Sequence, residues 1–154
     1  VVDRGIREAK AIDTKKLCIT EGEKAWAVIV DICTINTDGN LLDAAALATV
    51  AALRNARFPS YNGKTVDYKS MTDNKLPIVR LPVSVTVIKL GDHLFVDPTV
   101  EEEKVIDARL TVAIAESGKI CALQKGGTIP LTIDDVDRMI ELARAKAGDL
   151  SKNL

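Results

Sequence analysis

Apolar positions recur along the chain with two periods, and the switches between them mark out the elements. Val2, Ile6 and Ala9 fall at helical spacing with Arg4, Arg7 and Lys10 on other faces, which predicts a first helix through Ala11. After the break at Gly22, Trp26-Ala27-Val28-Ile29-Val30-Asp31-Ile32-Cys33 is β-rich and apolar on both sides except at Asp31, the pattern of a central strand. Asp38-Gly39 predicts a turn, and an alanine-rich helix follows from about Leu42 to Ala56, its stripe formed by Leu42, Ala46, Val50 and Leu53. Pro59 and Asn62-Gly63 close that unit, and Tyr61 to Pro82 is polar, turn-rich and weakly periodic.

The remainder is more regular. Val83, Val85 and Val87 alternate with Ser84, Thr86 and Ile88 as a strand, Gly91-Asp92 turns the chain, and Leu94 to Asp97 forms a second strand. Thr99 with Glu102 three residues on is a capping box, so a helix should start there and run to about Ala108. Two strands, Leu110 to Ala115 and Lys119 to Leu123, are joined by Ser117-Gly118, and Gly126-Gly127 breaks the chain. Thr132 and Asp135 cap a final helix whose stripe is Ile133, Val136, Met139, Ile140, Ala143 and Ala147. The order ββαββα implies an antiparallel sheet covered by helices, an α+β fold.

Composition narrows the possibilities. With 47% hydrophobic residues in 154, the chain can bury roughly 70% of its unfolded surface. Twenty-one basic against 22 acidic side chains, net charge −1, argue against a protein that grips nucleic acid with its whole surface. A local basic face is still allowed. No run approaches the roughly 20 apolar residues of a membrane span, and no signal-peptide pattern is visible. Cys18, Cys33 and Cys121 are widely separated and His93 is the single histidine, so zinc binding and a histidine-dependent triad are not expected. Cys33 and Cys121 fall in apolar runs and are expected to be small buried hydrophobes, which fits a reducing cytoplasm. The start at Val1, inside a helical pattern and without methionine, reads as that of a trimmed fragment.

Candidate chemistry is sparse. Asp97, Glu101, Glu102, Glu103 and Asp107 could include a metal-binding or acid–base carboxylate pair; they equally suit a helix start, where negative charge complements the dipole. Arg4 and Arg7 could contact phosphates, or Arg4 could pair with Glu8 on the surface. Lys125-Gly126-Gly127-Thr128 lacks the order of a phosphate-binding loop and reads as a turn. Trp26 reads as core.

Several passages carry more than local patterns do: Val1-Val2-Asp3-Arg4-Gly5-Ile6-Arg7-Glu8, Trp26 to Asp43, Lys75-Leu76-Pro77, Val96-Asp97-Pro98-Thr99-Val100-Glu101-Glu102-Glu103, Asp107-Ala108 and Ile120 to Gly127. In this order they resemble the ribonuclease PH family, in particular its non-catalytic ring branch in the archaeal exosome. The resemblance implies an incomplete first domain over 1–80, lacking its early strands, and a ββαββα second domain over 81–154. It further implies an alternating hexameric ring with a catalytic ribonuclease PH-like subunit, RNA-binding cap subunits, and RNA degraded from its 3′ end by phosphorolysis.

Catalytic members offer phosphate a glycine followed by hydroxyl or arginine residues at a helix N-terminus, and carry two aspartates six apart. Here Gly39-Asn40-Leu41-Leu42-Asp43 stands at the first position, where Asp43 would repel an anion, and Asp97 with Glu103 at the second. The resemblance therefore implies no catalytic residue, no metal and no cofactor in this subunit. The RNA-binding residues it implies are Arg4 and, more weakly, Arg7. The rival is an active phosphorolytic exoribonuclease using Asp97 and Glu103 around magnesium. A third possibility is a ribosome-associated or general scaffold domain of similar architecture.

Overall fold

A computed structural model describes residues 1–154, the side chain of Asn153 excepted. Its elements are α1 (Val2–Glu8), β1 (Cys18–Thr20), β2 (Lys24–Ala25), α2 (Leu41–Asn55), β3 (Arg57–Tyr61), β4 (Val66–Lys75), β5 (Val83–Leu90), β6 (His93–Val96), α3 (Val100–Glu103), β7 (Ala108–Ile114), β8 (Ile120–Gly127) and α4 (Ile133–Leu150). The architecture is α+β, and ββαββα is the order from β5 to α4.

The centre is an antiparallel sheet of order β6-β5-β7-β8. Alternation along β5 and β7 sends Val83, Val85, Val87, Leu110, Val112 and Ile114 to one face. There they pack with Met139, Ala143 and Ala147 of α4. Ser84, Thr86, Thr111 and Ala113 occupy the other face, which α1 and α2 cover. Small side chains allow that close approach: a Cβ on Gly5 of α1 would meet Ser84 Oγ at 3.3 Å and Ala113 Cβ at 3.5 Å. β5 is consequently buried on both faces from Val83 to Ile88.

Several expectations need correction. Trp26–Cys33 is not a central strand: it has no regular secondary structure, and among the described residues no ladder pairs with it beyond β2. Val28, Val30 and Ile32 line a groove with α1 and α2, yet Val30 and Ile32 remain 44% and 47% exposed and Ile29 87%. The β-rich apolar run of a strand is present, but a strand also needs a hydrogen-bonded neighbour. Cys33, in the same segment, is exposed and Cys121 half-exposed, so neither is a buried hydrophobe. Trp26 is half-buried and packs on Phe58 and Tyr61, with ring centroids 5.3 and 6.1 Å away, as a small aromatic cluster apart from the main core.

The polar stretch after Tyr61 contains the long arm of a hairpin, β3–β4, turned by Asn62-Gly63-Lys64-Thr65. Its register shifts repeatedly, which explains the weak periodicity. The capped helix α3 ends at Glu103 rather than near Ala108. Asp107 is drawn to the β5–β6 turn, donating its N–H to Lys89 O and accepting the Gly91 N–H, and Ala108 opens β7. Gly126 and Gly127 continue β8, opposite Arg109 and Ala108, instead of breaking the chain. Ile133 lies in the first turn of α4 with 83% of its surface exposed, and Asp135 is buried. No helix among the described residues is long and apolar enough to cross a membrane.

Candidate functional site

The loop before α2 meets the loop before α3 in a polar corner. Gly39 has φ +108°, and a Cβ there would lie 2.1 Å from Pro98 O and 2.8 Å from Thr99 C, so the two backbones are in direct contact. Asn40 (φ +49°) and Asp97 (φ +58°) are also left-handed, a conformation L residues hold only where surrounding contacts compensate. The compensation here is hydrogen bonding. The Asn40 backbone N–H donates to Glu103 Oε1 at 2.9 Å, and its side-chain amide donates to Asp97 Oδ1 at 3.1 Å.

This geometry decides what the corner can do. A helix N-terminus presents unpaired N–H groups and a partial positive charge, a natural seat for an anion. In this chain the carboxylate of Glu103 takes one of those donors, the Asn40 N–H, and Asp97 sits beside it. Leu41 is exposed and Leu42 half-buried, and neither side chain has a donor. One oxygen of each acid, Glu103 Oε1 and Asp97 Oδ1, is thus bonded to a donor of Asn40.

The other acids are engaged as well. Glu102 reciprocally caps α3 with Thr99, whose backbone and hydroxyl bonds hold the Glu102 carboxyl below its ordinary range. Glu101 pairs with Lys104 at 2.7 Å.

Asp43 does not face the corner's solvent. It is 6% exposed and turned into the sheet, accepting the Thr86 N–H at 2.8 Å and the Thr86 hydroxyl at 2.7 Å. Burial pushes its carboxyl above the usual range; the Thr86 bonds oppose that, and the charge of Asp97 adds to it. Repulsion of an anion at this corner therefore comes from Glu103 and Asp97 rather than from Asp43. The inward turn had a signal, because Asp43, Ala46, Val50 and Leu53 share one helical stripe. Asn40 carried no such signal, since its role depends on a loop 57 residues away.

The two arginines differ. Arg4 is exposed on α1 and joins no ion pair among the described residues, so the possible Arg4–Glu8 pair does not form. Arg7 reaches back to Asp3 at 3.4 Å. It also borders a groove of about 980 Å³ between α1, α2 and the segment after β2, with Ile6, Val28, Val30, Ile32 and Leu53 among its lining residues. None of the corner residues lines that groove. The structure thus leaves the groove beside Arg7 and the corner as separate features.

Comparison with known proteins places these features in context. The profile of domain 1 of the 3′ exoribonuclease family matches residues 1–59, and that of its domain 2 matches residues 80–146. The chain is 44% identical over 157 aligned residues to exosome complex component Rrp42 of Methanothermobacter thermautotrophicus, covering 100% of this chain and 58% of that protein. Against the Rrp42 of Thermoplasma volcanium the identity is 46% over 143 residues, covering 93% and 53%. The chain therefore spans little more than half the length of these curated relatives. Among solved structures, a chain of the Archaeoglobus fulgidus exosome with RNA bound to the active site superposes with a TM-score of 0.88 at 41% identity, covering 99% of this chain and 58% of that one. Rice Rrp46, at 22% identity and a TM-score of 0.56 over 76% of this chain and 47% of its own, shares the fold.

Proposed function

The chain belongs to the 3′ exoribonuclease family, and on that premise we propose that it is a non-catalytic ring subunit of an archaeal-type exosome. In this reading residues 1–80 are part of the first ribonuclease PH-like domain and residues 81–154 are the second. The subunit alternates with a catalytic ribonuclease PH-like subunit in a hexameric ring beneath RNA-binding caps, in the cytoplasm. It shapes its neighbour's active site and helps hold RNA while that neighbour degrades it phosphorolytically from the 3′ end. The names of the Rrp42 relatives and of the RNA-bound assembly support the setting.

One observation carries the non-catalytic part: the Asn40 N–H at the start of α2 is donated to Glu103. A phosphate entering there would meet the Glu103 carboxylate already on one of the helix's first donors and Asp97 beside it, with no hydroxyl or guanidinium from Leu41 or Leu42 to receive it. That disfavours the rival reading of an active enzyme.

Arg4 is the residue assigned to RNA, since it is exposed and has no ion-pair partner among the described residues; Arg7, engaged by Asp3, takes a secondary part. The test is Arg4→Glu in the ring assembled with its catalytic partner. RNA binding should weaken, and the slope of log affinity against log salt should fall by about one while the complex keeps its mass. An unchanged salt slope would remove Arg4 from the RNA path.

A further inference from the structure

β6 pairs with β5 only from Val87 onward, so β5 has an open edge at Thr86, the first residue beyond that pairing. A buried N–H on such an edge needs a partner. Asp43 supplies it from the first turn of α2, and its second oxygen accepts the Thr86 hydroxyl. Thr86 is opposed to Thr111 on β7, and the two hydroxyls lie 2.8 Å apart. The carboxylate thus joins α2, through one threonine, to both central strands. It lies three residues after Asn40, whose backbone N–H and amide hold the α3 loop.

We infer that Asp43 is a positioning residue: by fixing the first turn of α2 to the open edge of β5, it holds the Asn40 N–H on Glu103. This rests on the reading that the corner is closed to phosphate, and it names what keeps it closed. Asn40 is left-handed and α2 has no side-chain N-cap bond, so the local backbone does not hold the corner by itself. The anchor to Thr86 restrains the helix from the far side.

Site-resolved amide exchange in the full-length chain tests the assignment, with Val112 reporting the central sheet. Asp43→Ala removes both bonds to Thr86, and exchange at Asn40 should accelerate roughly tenfold or more relative to Val112. Asp43→Asn can still accept the Thr86 N–H and should restore Asn40 to within about threefold of the parent. Thr86→Val keeps the N–H bond, loses the hydroxyl bond and should fall between them; this variant decides the matter if Asp43→Ala does not fold. Equal acceleration at Asn40 and Val112, or none at Asn40 in Thr86→Val, would overturn the assignment. Nucleoside diphosphate release by the parent chain alone would instead sink the reading of an inactive subunit and leave the exchange result standing.

Discussion

Replacing Gly39 by alanine probes the close approach that forms the corner. The substitution imposes two costs. The first is conformational: φ of +108° lies where an L residue is strained, at about 1–2 kcal/mol. The second is steric: the added carbon would sit 2.1 Å from Pro98 O, with Thr99 C and Cα at 2.8 and 2.9 Å. Non-bonded carbon contacts are most favourable near 3.5–4.0 Å, so one backbone must retreat by about 1 Å or more, at a cost typical of overpacking, about 1–3 kcal/mol. Gly63 is a built-in control, because its φ is +89° but nothing lies within 4 Å of a Cβ placed there. In urea denaturation of the full-length protein, Gly39→Ala should therefore lose about 2–5 kcal/mol and Gly63→Ala about 1–2 kcal/mol. The Gly39 variant should also lose protection at the Asn40 amide. Equal destabilisation by the two variants would refute the backbone contact between the Gly39 and Pro98 loops.

Two further predictions concern the second unit. Lys89 and Asp135 join β5 to the start of α4 at 2.6 Å; that bond and the Thr132 cap hold the Asp135 carboxyl at about 2. The pair's contribution should be complete above about pH 3.8 and should fade as the pH drops toward 2, whereas Lys89→Met should move the loss to higher pH. Thermal unfolding from pH 2 to 6 reads this, and parallel profiles for the two proteins would count against it. Met139 is fully buried at the centre of the α4 core, so Met139→Ala should cost about 2–5 kcal/mol by denaturant titration; a loss under about 0.5 kcal/mol would show the site is not packed as described.

How much was readable in advance follows from where each signal lies. β5, β7 and α4 were legible because alternation and helical stripes are local consequences of a buried face, and both capping boxes occur where the Thr-x-x-acid spacing put them. The segment from Trp26 to Cys33 misled because a continuous apolar run reports surface to be covered, while strand formation also requires a neighbour. β3–β4 was missed because bulges interrupt its period. At the corner the residues were identified by resemblance, but their roles were not: Asp43 was expected to face an anion and faces Thr86. The bond between Asn40 and Glu103 spans 63 residues and leaves no periodic trace.

The most direct test of the account is phosphorolysis by the full-length subunit alone. Purified without its partner and incubated with RNA, inorganic phosphate and magnesium, it should release no nucleoside diphosphate above the protein-free control. The ring assembled with its catalytic partner should release it under the same conditions. Phosphate-dependent release by the isolated subunit, abolished by Asp97→Ala, would contradict the account and establish the corner as an active site.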